Sequence, residues 1–208
     1  MTKYMMPLFF KSIPELSLYD PLADMLGAAH DGVIKYSYAE CVKLAGHSCP
    51  TVAGTYLMVQ RGLKILYPDT MPRRGEIRVL LSGTLGDGVV GVMANIASFI
   101  TGATDVSGFH GLGGKFDRRN LLKYEANIQG DIALERVDTG ECISLSYNPR
   151  IVPADPKMGE WLELMITEKG NFEIERLFQN AWQDRVKLIL TDYANHPGLV
   201  IPTFEGKK

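Results

Sequence analysis

Several whole classes of protein are excluded by what this sequence has little of. Its 208 residues include three cysteines, Cys41, Cys49 and Cys142, and none forms a Cys-x-x-Cys pair. An odd number without such a pair argues against a disulfide framework and against a zinc knuckle, and it suggests a reducing compartment. Charge of one sign is scarce as well. The formal net charge is −2 and no stretch reaches five like charges. The densest basic spots, Pro72-Arg73-Arg74 and Asp117-Arg118-Arg119, are too short for the basic stripe that nucleic acid requires. No apolar run approaches the ~20 residues of a membrane span. The N-terminal apolar run is broken by Pro7 and closed by Lys11, with no small-residue cleavage site after it, so no leader peptide is expected. These absences predict a cytoplasmic protein that binds neither nucleic acid nor membrane.

What is present is an ordinary globular composition, 46% hydrophobic and 22% charged. A chain of this length can bury a core without metal staples, so a bound metal would serve function rather than the fold. Local signals then place the elements. Asp20-Pro21 is an N-cap followed by proline at the first helical position; the short helix runs through Met25 and ends by the Gly32 turn. Ser37 and Glu40 form a capping box for a helix through Leu44, and Gly46 fits a left-handed stop. Pro50 opens a longer helix in which Val52, Tyr56, Val59, Leu63 and Leu66 recur at helical spacing. Gly62 within it costs about 1 kcal/mol relative to alanine, which points to close packing.

Residues 76–82 alternate as a strand, a glycine-rich turn follows, and residues 89–101 read as a buried helix. Residues 121–128, 132–137 and 142–147 read as strands, the last two joined as a hairpin by Asp138-Thr139-Gly140-Glu141. Pro149, Pro153 and Pro156 mark a connector to two helices, carrying Trp161 and Trp182 on faces suited to core or dimer contacts. The chain after His196 reads as loop with one short extended segment. The expected fold is therefore α+β, a mainly antiparallel sheet packed with helices. Residues 1–150 form the core domain and 151–208 a helical C-terminal extension packed on it.

The densest chemistry lies in Gly46-His47-Ser48-Cys49-Pro50. With Pro50 as first helical residue, Cys49 is the N-cap. There a thiolate meets free N–H groups and the positive end of the helix dipole, conditions that favour reactivity. His47 lies two residues earlier on the same turn. Such a pair suits a soft or borderline divalent metal or a nucleophile with its base. The structural alternative is a small side chain packed at a helix start beside a histidine bonded to a carbonyl. Cys41 and Cys142 read as core and strand residues, and His30 and His196 as residues of turns or helix ends.

Two glycine loops follow. Gly86-Asp87-Gly88-Val89-Val90-Gly91 matches Gly-x-Gly-x-x-Gly between a strand and a helix. Asp105 stands near the spacing of a ribose-binding acid, but no clean second parallel strand precedes it. Tight turning is the favoured reading, with anion binding at Gly86 and Gly88 an alternative. The second loop, from Gly108 to Lys115, carries His110, an attractive third metal ligand, and Lys115, which with Arg118 and Arg119 could hold an anionic substrate.

Gly-His-Ser-Cys-Pro, followed by Gly54 and an apolar helix, resembles the Gly-His-x-Cys-Pro-Gly signature of the formylmethanofuran dehydrogenase E-subunit family. Residues 97–104, ending Thr101-Gly102-Ala103-Thr104, look like that family's helix ending in Thr-Gly-Cys-Thr, and Lys115 matches its later Gly-Lys. The resemblance covers about residues 30–150. It implies an α+β core that dimerises, with a metal or active site around His47 and Cys49. The chain departs from the family pattern at Thr51, Asn95 and Ala103, the last standing in place of cysteine, and it has no paired cysteines after residue 142. The expectation is a metal-binding enzyme or redox-linked metalloprotein, a homodimer acting on a small molecule. His47, Cys49 and His110 would be ligands to zinc, or secondly iron, and Gly86, Gly88 and Lys115 would bind a cofactor. Metal-free Cys49–His47 thiol catalysis and a non-catalytic accessory module are the alternatives.

Overall fold

The structure is a computed structural model describing residues 6–204; the first five residues of the N-terminal apolar run lie outside it. Its α+β architecture is the expected one. A two-stranded antiparallel ribbon, β1 (Leu16–Tyr19) and β2 (Val33–Tyr36), precedes the main sheet. That sheet has five strands in the order β4-β3-β5-β6-β7, namely β3 (Ile77–Leu81), β4 (Leu122–Lys123), β5 (Ile132–Arg136), β6 (Cys142–Tyr147) and β7 (Val200–Phe204). Only the β3–β4 pair is parallel. The helices are α1 (Pro21–Met25), α2 (Tyr38–Ala45), α3 (Pro50–Leu66), α4 (Val90–Thr101), α5 (Met158–Ile166) and α6 (Phe172–Leu190).

Local chemistry explains most boundaries. The Asp20 carboxylate accepts the Leu22 and Ala23 N–H groups ahead of Pro21. The Ser37–Glu40 capping box is complete on both sides, satisfying donors that the first turn of α2 cannot pair internally. Gly46 ends α2 at φ 75°, a conformation a side chain would strain.

Helix α3 is the spine. Its Gly62 faces the sheet, where an added Cβ would lie 2.7 Å from Leu134 and 2.9 Å from Leu145. Glycine therefore lets α3 lie directly on β5 and β6. The buried face of α3 joins Ile77, Val79, Leu81, Leu134, Ile143 and Leu145 in one core. Each such fully buried aliphatic side chain contributes about 1.5–3 kcal/mol relative to its exposed state.

The expected strand at 121–128 shrinks to two residues. Glu125 takes a left-handed φ of 53°, which no ladder tolerates. The chain then crosses the end of β3, with Glu125 N–H donating to Gly83 O and Ala126 N–H to Leu81 O. The C-terminal segment contributes more than helices. Val200–Phe204 pairs along β6, and Val186, Ile189, Leu190, Leu199 and Val200 belong to the common core.

Directions within this frame decide which residues can meet. Tyr147, at the end of β6, packs against Gly54 in the first turns of α3, and Arg136, paired with Ile77 at the start of β3, donates to Leu66 O at the last turn. Helix α3 therefore runs antiparallel to β3. So does α4, because Val90 lies against Gly83 just after β3 and Thr101 O accepts from Gly75 N–H just before it. The starts of α3 and α4 share one end of the sheet, and their ends share the other.

Candidate functional site

The elbow is assembled at the first of these ends. Cys49 is the N-cap of α3, with extended backbone, and its Sγ accepts the Val52 N–H at 3.4 Å. The thiol is half-buried. His47 is exposed on the turn, with Nδ1 2.9 Å from the Ala45 carbonyl oxygen. A carbonyl only accepts, so Nδ1 carries the proton, and the neutral tautomer with this bond has its lone pair on Nε2. No described hydrogen bond joins the imidazole to the Cys49 thiol. The two groups are neighbours in chain, each oriented by backbone rather than by the other.

The turn is held by side chains from three further elements. Ser48 O accepts from Trp182 Nε1 at 2.9 Å and from Gln183 Nε2 at 3.3 Å, both on α6. Ser48 Oγ pairs with the Tyr38 hydroxyl at 3.0 Å. The Tyr147 hydroxyl donates to Pro50 O at 2.9 Å. Its ring occupies the space that a Cβ at position 54 would need. Gly54, noted in the sequence only as part of a motif, thus admits Tyr147 against α3. Burial raises the Tyr38 and Tyr147 hydroxyls well above the usual phenol value, and the nearby Cys49 adds to both shifts. Both stay protonated at neutral pH, and Tyr147 donates to the Pro50 carbonyl.

Tyr38, Tyr147, Trp182 and Gln183 escaped the sequence reading as site residues. Trp182 lies on a face read there as core or dimer surface; its indole N–H is instead committed to the elbow. Nothing local marks these residues, since their partners are 10 to 135 positions away.

The other expected ligands stand apart. His110 and Lys115 are exposed on a loop that follows α4, at the opposite end of the sheet from Cys49. Leu112 and Lys115 exchange backbone hydrogen bonds around Gly113 and Gly114, both with positive φ, which makes a tight turn of the primed type. The loop is anchored by Arg118, whose N–H bonds Phe109 O and whose carbonyl accepts from Thr104. Helix α4, 12 residues long and hence about 18 Å, separates this loop from the elbow. Within one chain His110 cannot join His47 and Cys49, and Lys115 cannot join Gly86 and Gly88. Among the described residues no three His, Cys, Asp or Glu side chains cluster as a metal site. Ala103 is buried at this far end of α4, so a cysteine there would not reach the elbow of its own chain.

The two arginines of this loop are already used. Arg118 is buried and bonds Asp20 Oδ1 at 2.7 Å, while Arg74 bonds Asp20 Oδ2 at 3.0 Å. Arg74 also caps α4 through the Phe99 and Ile100 carbonyls. Arg119 is paired with Asp117, whose carboxyl is held down at about 2 by that bond and by the Arg119 N–H. Arg118 and Arg119 are thus structural charges rather than an anion site.

Gly86 and Gly88 share the elbow's end of the molecule, in the exposed turn before α4. That turn closes on itself, with the Asp87 carboxylate accepting Thr84 N–H at 2.7 Å. None of Gly86, Gly88 and Gly91 adopts positive φ. Asp105 follows α4, across the molecule from the glycines, and accepts Ser107 N–H. The dinucleotide arrangement, with glycines and acid at one strand end, is absent from this geometry.

No helix among the described residues is long and apolar enough to cross a membrane. No family model matches this chain, and no curated protein matches it.

Proposed function

We propose that the elbow is the chemical centre of the protein, with Cys49 Sγ and His47 Nε2 as its two working atoms. The observation that carries this reading is the His47 Nδ1–Ala45 carbonyl bond. Metal-binding histidines are usually oriented by an acceptor on the ring nitrogen that does not bind the metal. Here that bond leaves Nε2 outward, two residues from a helix-capping thiol. The donor types, one imidazole and one thiolate, suit zinc first and iron second. Two donors do not close a zinc site, and His110 cannot be the third within the same chain. The site is therefore a half-site completed by a second copy of the chain or by substrate. Bound there, the metal would act as a Lewis acid; the chain's own part is to hold the two donors apart and oriented. The resemblance of Gly46–Pro50 to the formylmethanofuran dehydrogenase signature supports the same reading.

The test is metal analysis of protein purified without a histidine tag. The proposal requires metal at between one half and one per chain, according to whether two copies share an ion, and its loss in both His47→Ala and Cys49→Ser. Metal retained in both variants would place it elsewhere and overturn the reading.

The second reading is metal-free thiol chemistry, favoured by the Val52 N–H on Cys49 Sγ. In it Cys49 attacks an electrophilic substrate and His47 Nε2 takes the thiol proton. Absence of metal together with selective alkylation of Cys49 would support it. Slow alkylation and no metal would leave an accessory module that binds without turnover.

A further inference from the structure

A large groove lies away from the elbow, between the later turns of α3 and the end of α6. It encloses about 1020 Å³. Its accessible apolar surface comes from the half-buried Ile65, Ala194 and Pro202, with the buried Ile13, Leu57 and Leu190 in its wall. Its rim carries two cations of α3, Arg61 and Lys64. Among the described residues, neither meets a carboxylate within ion-pair distance. Arg61 donates one N–H to the Val200 carbonyl at 3.1 Å, which fixes the guanidinium at the groove. Among the described residues Arg73, Arg74, Arg78, Arg118, Arg119 and Arg136 are each paired with an acid, whereas Arg150, Arg176 and Arg185, away from the groove, are not. The one acid lining the groove, Asp192, accepts from its neighbour Thr191 instead.

We propose that this groove binds a small organic anion with an apolar body, of the size of a medium-chain carboxylate. The anionic head would sit between Arg61 and Lys64, which lie one helical turn apart and face the same way, and the chain would cover Ile65, Ala194 and Pro202. The volume stands at the upper end of the range of ligand pockets, about 300–1,000 Å³, and the lining combines apolar side chains with placed polar ones. The apolar floor selects against simple inorganic anions, and the paired cations select against neutral chains. This inference is independent of the elbow and stands or falls without it.

Titration calorimetry of the full chain with submicellar decanoate tests it, with decanol and acetate as controls. Decanoate should bind one to one, and acetate should not bind measurably. Decanol should bind at least about fivefold more weakly than decanoate, and Lys64→Met should weaken decanoate by about the same factor, the size of one partly exposed charge contact. Arg61→Met combined with Lys64→Met should weaken it further. Because Arg61 also supports β7, the Lys64→Met single variant decides the matter if the double variant unfolds. Equal binding of decanol and decanoate, or unchanged binding in Lys64→Met, overturns the proposal. Absence of decanoate binding overturns it too; if the chain is then dimeric with Lys64 shielded from acetylation, the groove belongs to a second copy.

Discussion

The two ends of the sheet solve opposite problems with the same materials. At the far end, Asp20, Arg74 and Arg118 bring three charges together from positions up to 98 residues apart, and each finds an opposite charge. Asp20 also caps α1, and Arg74 caps the end of α4. Gly102, at φ 74° with no room for a Cβ beside Arg118, lets the guanidinium in. At the elbow end the holding groups are neutral. Tyr38, Tyr147, Trp182 and Gln183 direct their hydrogen bonds to Ser48 and Pro50, and leave the Cys49 thiol half-buried and the His47 imidazole exposed. Charge is consumed where the fold is clasped, and at the elbow the backbone is fixed by neutral groups. Stability and reactivity should therefore separate by mutation.

The clasp gives the largest effect. Asp20→Ala should cost about 3–5 kcal/mol, because it leaves two partly or fully buried arginines without their counter-charge; urea denaturation measures it. The same clasp should show in pH. Burial pushes the Asp20 carboxyl up, but the bond from Arg118, the Ala23 N–H and Arg74 together hold it below its ordinary 3.8. A depressed carboxyl stabilises the fold above its unfolded value and loses that contribution as acid protonates the folded state. Wild-type stability should accordingly fall below pH 3.8, and Asp20→Asn should lack that part of the fall. Neither variant should alter the alkylation rate of Cys49 while the protein remains folded, and a large change would join the two ends that the comparison keeps apart.

Gly54→Ala comes next. The new methyl would overlap the Tyr147 ring, and overpacking of this kind costs about 1–3 kcal/mol. An alanine in a helix otherwise gains about 1 kcal/mol over glycine, so the sign itself is diagnostic. Loss of stability with altered Cys49 alkylation would show that Tyr147 holds the elbow. The smallest effect is Trp182→Phe, which removes one hydrogen bond to Ser48 O and should cost about 1 kcal/mol. Its informative readout is the metal content or alkylation rate at the elbow, which a merely packed tryptophan would leave unchanged.

The elbow's local geometry was legible because it depends on neighbours in sequence. Ser37 with Glu40, Asp20 with Pro21, Gly46 after α2 and Cys49 before Pro50 all act within three or four residues, and each forms as its chemistry requires. The β5–β6 hairpin is similar, since Asp138–Glu141 set the turn. What could not be read were the distant meetings. The β1–β2 ribbon pairs across α1, and β7 finds β6 after two helices. Arg118 has the look of a surface cation until it meets Asp20. His110 is attractive as a ligand because its glycine loop lies beside the second motif, but α4 carries the chain to the other end of the sheet between it and the elbow. Gly54 carries no sign of Tyr147, 93 positions later in the sequence. Sequence placed the turn between α2 and α3; the long-range contacts decide which other residues meet it.

The most direct test of the central claim is alkylation of the three cysteines in tag-free folded protein, followed by mass spectrometry with and without a chelator. Cys41 is fully buried and its thiol is pushed up to about 12 by that burial, so it serves as the internal standard for an inert cysteine. Cys49 is predicted to be modified before Cys41. Its rate should rise on chelation, and His47→Ala should abolish that response. Modification of Cys49 no faster than Cys41, or a rate indifferent both to chelator and to the loss of His47, would contradict the account.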